Sequence, residues 1–543
     1  MKVSDAIAEV LKREGVEVMI AYPVNHVIEA AARADIRTVI VRQERIGLHM
    51  ADAMARLSSG KTIGVFAMQH GPGTENAFGG VAQAYSESVP ILIIPMGYPR
   101  AIAHIHPNFS AVDNFGHVTK SLEPLTSAGE VANVFRRAFT QMRNGRQAPA
   151  LVEVPADLVN AEFDGELDYT PTFSTRSGPD PAAVRTAAEV LVAAKNPVIF
   201  AGQGVHYAAA WPQLLQLAER LAAPVTTSIS GKSAFPENHP LSLGTAGRSM
   251  ARPVYDHVHG ADVIFGIGCS FTTTAFGMKM PTDKTVIHAT LDPIDLNKNL
   301  VAKHALIGDA ALTLDALNAE VDARLGDETR DSAPIAKTIA EGRKVWLAEW
   351  MPKLTSDETP LSPYRVLWDL AHTVDRDNAI VTHDAGSPRD QIIPFWDATT
   401  PLSYIGWGKT TQLGYGLGLA MGAKLVQPDK LCINVWGDAA IGFTGMDFET
   451  AVRERIPILS ILLNNFSMAI ELPIMKVATE KYRSTDISGD YAAMARAFGG
   501  YGERITDPAE IIPAIRRGIE QTEQGTPALL EFITSKENTI SIF

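Results

Sequence analysis

Between Leu431 and Ser467 the chain has few ways to fold. The apolar run LCINVW stops at Gly437-Asp438-Ala439-Ala440, which reads as a turn. The segment GMDFETAVRERI follows, helix-like, with Met446, Phe448 and Val452 apolar among charges. Then come Pro457, the apolar run ILSILL and the pair Asn464-Asn465. Two apolar strands joined by a helix make a βαβ unit, whose right-handed crossover brings both carboxyl ends to the same edge of a parallel sheet. Asp438 and Asn465 end those strands, so a carboxylate and an amide oxygen meet where α/β sheets bind ligands. Hard oxygen donors of this kind suit Mg²⁺ or Ca²⁺, and Mg²⁺ fills its octahedron with phosphate and water. By themselves, Gly-Asp and Asn-Asn are also ordinary turn residues.

The remaining sequence extends the same pattern. The runs VEVMIAY, RTVIV, KTIGVFAM, PILIIPM and ALVEVP, then PVIFAG, PVTTS, DVIFGIG and TVIHATLD, alternate with helical segments. Near-continuous apolar strands between helices predict parallel sheets covered on both faces. With 543 residues, about three or four domains are expected. Polar stretches at DYTPTFSTRSGPDP and near 330–360 divide the chain into domains at 1–165, 180–328 and 360–543. The tail SKENTISIF either folds over a site or is frayed, and fraying is the expectation for a free end. Two strands end in Gly-x-Gly (Gly202 to Gly204, Gly266 to Gly268), a pattern more often a tight turn than a dinucleotide site.

Charge and composition exclude several classes. The net charge is −13 with no basic stripe, which argues against a nucleic-acid partner. No apolar run is long enough to span a bilayer, and the acidic amphipathic start is no signal peptide, so a cytoplasmic protein without a membrane partner is expected. Cys269 and Cys432 lie in apolar strands and read as buried thiols in a reducing compartment.

The GD…NN pattern resembles the signature of thiamine-diphosphate (ThDP) enzymes of the acetolactate synthase, 2-oxoacid decarboxylase and benzaldehyde lyase superfamily. The resemblance implies three doubly wound α/β domains: pyrimidine-binding, middle and diphosphate-binding. It implies Mg²⁺ held by Asp438, Asn465 and the Ser467 carbonyl, with Gly437, Ala439, Ala440, Ala469 and Ile470 beside the cofactor. Ala439 stands where the family has a second glycine.

VRQERIGLHMADAMARLSSGK is similar to the family's RHE…GHMAeGYARa run, with Gln43 in place of His. By residue type alone, Glu44 is an acid favoured at a helix start; the resemblance makes it the partner of N1′ of the aminopyrimidine. Burial would let that acid hold a proton near neutrality. Gln69-His70-Gly71-Pro72-Gly73-Thr74-Glu75-Asn76 resembles the family's SGPG-x-x-N turn and puts Asn76 at the cofactor. His70 is then either a proton shuttle or a satisfied turn residue. Pro23, Asn25 and His26 sit where relatives have YPGG; Asn25 and His26 then point into the site, or His26 merely begins the next helix. Asp384, Gly386 and Ser387 fall where relatives contact the cofactor. GWGKTTQLGYGLGLAMGA resembles GTMGFGLPAAIGA, placing Leu413 on the apolar residue that bends the cofactor, or in plain core packing.

The implied activity is a ThDP- and Mg²⁺-dependent lyase or carboligase working on a 2-oxo acid or related small-molecule substrate through a carbanion at the cofactor's C2. Because Glu44 and Asp438 lie in different domains, the resemblance implies a homodimer or homotetramer with sites at the subunit interface. Phe109-Ser110 replaces the Phe-Gln pair of acetolactate synthases, and FSMAIELPIMK lacks their Gly-Met-Val. A simple 2-oxoacid decarboxylase or a 2-hydroxyacyl-CoA lyase stays open, as do a flavin or nicotinamide oxidoreductase and a non-catalytic relative. Whether the middle domain binds FAD, an ADP-type ligand or nothing is undecided at this stage.

Overall fold

The structure is a computed structural model that describes every residue from Met1 to Phe543. Three six-stranded sheets follow one another along the chain, and every strand pairing within them is parallel. The predicted class, three doubly wound α/β units, is what is observed. Numbered within each unit, the first and third sheets share the order 2-1-3-4-6-5, while the middle one runs 6-5-4-1-2-3. The middle order is that of dinucleotide-binding folds read from the other edge.

Central strands such as Ile91–Gly97, Val263–Ile267 and Leu459–Asn464 are buried along their whole length, as near-continuous apolar runs demand. The sequence reading missed five strands, Ser121–Pro124, Ser242–Thr245, His304–Ile307, Tyr404–Ile405 and Tyr501–Ile505. All five are sheet edges, where one side meets solvent and the apolar run breaks up. The Asp438 turn is also corrected. Asp438–Thr444 is a helix starting directly at the strand end, and the expected GMDFETAVRERI helix shrinks to Phe448–Arg453 after a 3₁₀ turn.

The tail is not frayed. Trp346 donates to Ser541 Oγ at 2.8 Å, and Ser541 Oγ donates to the Met250 carbonyl at 2.6 Å. Asn538 donates to the Ala469 carbonyl at 2.7 Å, and Lys353 pairs with Glu537. These contacts tie the terminus to the middle domain, the connecting helix Ala333–Leu354 and the last domain at once, which outweighs the fraying expected of a free end.

One junction joins the first and last domains. The helix Glu44–Leu57 packs along the helix Tyr415–Val426. A Cβ on Gly418 would lie 2.5 Å from His49 Cβ, and one on Gly422 would lie 2.2 Å from the Met50 carbonyl oxygen. Small residues one turn apart let the two backbones approach. The core is continuous across this seam, with Ile46, Leu48 and Met50 in the same cluster as Leu417, Leu419 and Met421. A buried polar network crosses it as well. Arg56 Nε donates to Asp52 Oδ1 at 2.5 Å, Arg56 Nη1 to the Gly406 carbonyl at 3.0 Å, and the Tyr415 hydroxyl to Asp52.

Candidate active site

A cavity of about 680 Å³ opens at the carboxyl edge of the third sheet. It lies where Ala379–His383 and Leu431–Gly437, adjacent strands, send their chains in opposite directions. That reversal is the place where open α/β sheets bind ligands. Gly386, Ser387, Leu413, Gly437, Asp438, Ala439, Ala440, Asn465, Ser467, Ala469 and Ile470 all line it. Sequence reasoning did not find Gln391, Thr534 and Ser535, which also line it; no local pattern marks them.

Asp438 is buried and begins its helix at the strand end. Its Oδ1 accepts the Ala439 N–H at 2.9 Å and its Oδ2 the Ser467 N–H at 3.0 Å. Burial raises its pKa, while the backbone donors of Ser467 and Ala439 pull the other way. The two asparagines divide the work. Asn464 donates to Glu531 Oε1 at 2.7 Å and accepts the Phe466 N–H at 3.0 Å. Asn465 Oδ1 and Ser467 Oγ are buried with no partner. Phe466, between them, adopts a φ of +56°, turning the chain sharply where these oxygens face the cavity. Orphaned buried oxygens are costly, and beside a carboxylate they form a donor set that fits a hard divalent cation and diphosphate oxygens. No cluster of three His, Cys, Asp or Glu side chains suited to a softer metal occurs.

Asp384 is placed otherwise than expected. It is wholly buried, does not line the cavity, and accepts N–H groups of Ala385 at 2.8 Å, Gly414 at 2.9 Å and Gly416 at 3.0 Å. Burial pushes its pKa up to about 6 against those three donors. Its carboxylate therefore holds the start of the Tyr415–Val426 helix. Gly386 has a φ of +92°, which only glycine adopts easily, and so turns Ser387 toward the cavity.

The first domain builds a second cluster. Glu44 is the first residue of its helix and buried; Asn76 Nδ2 donates to its Oε2 at 3.2 Å. Burial raises the Glu44 pKa, and the Asn76 bond opposes this. Gln43, the replacement for the family histidine, donates to the Phe443 carbonyl at 2.5 Å and fixes the helix start. A Cβ on Gly73 would sit 3.0 Å from Glu44 Oε1, so the glycine turn and the acid fit together. His70 has a buried Nδ1 without a partner, its ring edge-on to Tyr98 at 4.6 Å.

Asn25 is a correction. Its amide donates to the carbonyls of Met68 and Ile94, both at 2.9 Å, and its Oδ1 caps Val27 N–H at 3.0 Å. With donors and acceptor all engaged, it braces strand ends and has nothing to offer a substrate. His26 is exposed and opens the helix His26–Arg33; Pro23 is exposed beside it. No residue before Pro363 lines the cavity of the third sheet. Within one chain, the Glu44 cluster and the Asp438 cluster do not share it.

In the middle sheet the two Gly-x-Gly turns pack on each other. Gly204 N–H donates to the Gly268 carbonyl at 2.8 Å, and a Cβ on Gly202 would meet that oxygen at 2.4 Å. Phe271 covers Gly266, with ring carbons 2.3 Å from where a Cβ would stand. Gly204 and Gly268 nonetheless line a cavity of about 670 Å³ together with Gln203, Thr290, Asp292 and Asp309.

Comparison with known proteins matches the chain domain by domain. Residues 1–117 match the thiamine pyrophosphate enzyme N-terminal TPP binding domain, 184–317 the central domain, and 384–532 the C-terminal TPP binding domain. The chain is 27% identical to a probable acetolactate synthase large subunit of Methanococcus aeolicus, covering 100% of this chain and 93% of that protein. It is 28% identical to the acetolactate synthase isozyme 3 large subunit of Escherichia coli K12, covering 95% and 92%. Its fold is similar to the crystal structure of benzoylformate decarboxylase from Polynucleobacter necessarius, with a TM-score of 0.84, 21% identity, and coverage of 99% and 100%. The chain belongs to the thiamine-diphosphate-dependent enzyme superfamily and is an enzyme that makes or breaks carbon–carbon bonds.

Proposed function

We propose that this protein is a ThDP- and Mg²⁺-dependent lyase or carboligase acting on a 2-oxo acid, with each active site shared between two copies of the chain. The observation that carries this reading is the unpartnered Asn465 Oδ1 beside Asp438, at a cavity to which the chain's own first domain contributes no residue. Asp438, Asn465 and the Ser467 carbonyl hold the cation, and Gly437, Ala439 and Ala440 lie along the diphosphate. Bound there, thiamine diphosphate supplies a carbon nucleophile and an electron sink.

The chain's own groups do the rest. Glu44 from the partner copy, its pKa raised by burial and its carboxyl steadied by Asn76, would share a proton with N1′ of the aminopyrimidine. Leu413, at the cavity wall, would give the cofactor's rings an apolar surface to rest on. His70, with a free ring nitrogen, moves a proton at the substrate carbon. Covering apolar surface favours the shared site. The helix Lys476–Tyr482, just beyond the cavity, buries no residue, and Ile474, Val477 and Tyr482 are 82%, 65% and 77% exposed. A homodimer is the smallest unit this requires, and a tetramer satisfies it equally. No helix is long and apolar enough to cross a membrane, and a cytoplasmic location fits the two buried free cysteines.

Ser110 supports a second reading of the substrate. Its Oγ caps the Asp113 N–H at 3.2 Å, so the side chain that replaces the synthases' glutamine is short and engaged. This favours a 2-oxoacid decarboxylase or a 2-hydroxyacyl-CoA lyase over acetolactate synthesis. The test is a panel of 2-oxo acids and 2-hydroxyacyl-CoA thioesters, with and without ThDP and Mg²⁺, scored for CO₂, aldehyde and coupled products. Turnover that needs both ligands is the expected result; turnover unchanged without them refutes the reading.

A further inference from the structure

Leu413 is half-buried at the cavity wall, and both of its neighbours in the chain are pinned. On one side Gly414, with a φ of +84°, gives its N–H to Asp384 at 2.9 Å and accepts the Thr444 hydroxyl at 2.8 Å. On the other side Gln412 Oε1 lies 3.1 Å from His49 Nε2. His49 comes from the first domain, on the helix that begins with Glu44. It is fully buried in the helix seam, against the Tyr415 ring at 4.1 Å and above the bare Cα of Gly418.

Burial lowers the His49 pKa to about 3, so the ring is neutral and carries one proton. Gln412 Oε1 can only accept, which places that proton on Nε2 and leaves Nδ1, buried and unpartnered, as a lone pair. A buried imidazole with one nitrogen unsatisfied is a poor device for stability alone, since an apolar side chain would fill the seam without that penalty. Its polar contacts, with the Gln412 side chain and the Gly414 backbone, fall on the two residues that flank Leu413.

We infer that His49 is a positioning residue that fixes Leu413 through Gln412, opposite the Asp384–Gly414 anchor. The inference rests on the functional reading of Leu413 given above. It has a consequence for the dimer: one rigid helix carries the acid of one site at Glu44 and the support of the other site's apolar wall at His49.

The test uses metal- and cofactor-free full-length protein as wild type, His49→Ala, Gln412→Ala, the double variant and Gln412→Glu. ThDP affinity in the presence of Mg²⁺ is measured by calorimetry. The circular dichroism gained by the cofactor when its rings are held face to face is recorded in parallel. Gln412 lies on a half-buried loop, so its variants fold even if His49→Ala does not. Each single alanine variant is expected to weaken ThDP binding by about tenfold and to diminish the dichroic band. The double variant should be no worse than the singles, because the two residues act as one unit. Gln412→Glu, which keeps the acceptor, should restore both signals. Wild-type affinity and an intact band in Gln412→Ala overturn the inference, as do single effects that multiply in the double. Wild-type protein that binds no ThDP overturns the functional reading, and this inference with it.

Discussion

Asn464 gives its amide hydrogen to Glu531 at 2.7 Å, whereas the adjacent Asn465 keeps a buried amide oxygen without any partner. One side chain belongs to the sheet and the other faces the cavity. Exchanging them for alanine should therefore give opposite phenotypes. Asn464→Ala leaves a buried carboxylate oxygen short of a donor and is expected to cost about 1–3 kcal/mol of stability. Asn465→Ala removes an unsatisfied group, so the apoprotein should melt no lower, while Mg²⁺-dependent ThDP binding weakens at least tenfold. Thermal unfolding of both apoproteins and calorimetry separate the two.

Glu44 is an acid whose folded pKa burial raises. Such a group binds more protons folded than unfolded, so its stabilising contribution is present at low pH and lost as pH rises through the folded pKa. Glu44→Gln should then flatten that part of the stability profile and leave the apoprotein at least as stable at neutral pH. Turnover should fall by about 10²–10⁴-fold, the usual worth of a positioned general acid or base. Denaturant unfolding from pH 4 to pH 8 and steady-state rates check both parts.

Asp384 has its pKa pushed up to about 6, against about 3.9 unfolded. Wild-type stability should decline between roughly pH 4 and pH 6 and level off above, by at most about 3 kcal/mol from this group. Asp384→Asn should abolish that slope and, by losing acceptors for Gly414 and Gly416, lower stability by about 1–3 kcal/mol. The measurement is the free energy of unfolding across that pH range.

Gly418 faces His49 at a distance where no Cβ fits. Gly418→Ala should push the two helices apart and cost about 1–3 kcal/mol by overpacking. It should also weaken ThDP binding, because the Glu44 helix and the Leu413 loop move relative to each other. Ala420, on the same helix, already carries a Cβ, and its conservative change to Ser is the control for ordinary substitution there.

The sequence made visible what continuous burial makes regular. The runs around Ile433 and Ile461 are apolar but for Asn434 and Ser460 because helices cover both faces of their strands, so Asp438 and Asn465 could be placed at one sheet edge. Edge strands such as His304–Ile307 alternate between wet and dry positions and left no comparable run. Asp438 read as a turn because Gly-Asp-Ala-Ala is compatible with either a turn or a helix start, and only the packed context decides. Asn25 looked available because it sits where relatives have YPGG; two distant carbonyls and the nearby Val27 N–H occupy it. The Ser541 anchor joins residues 291 positions apart and the Asn538 contact residues 69 apart, and neither has a local signature.

The central claim is that Glu44 and Asp438 of one site come from different copies of the chain. Glu44→Gln and Asp438→Ala proteins, each inactive alone, can be co-expressed and purified as a mixture. If sites are shared, a mixed dimer assembles one site with both native residues, and activity should return to about a quarter of the wild-type value per chain for random pairing. If the mixture stays as inactive as its two parents while mixed dimers are demonstrably present, the shared site is contradicted.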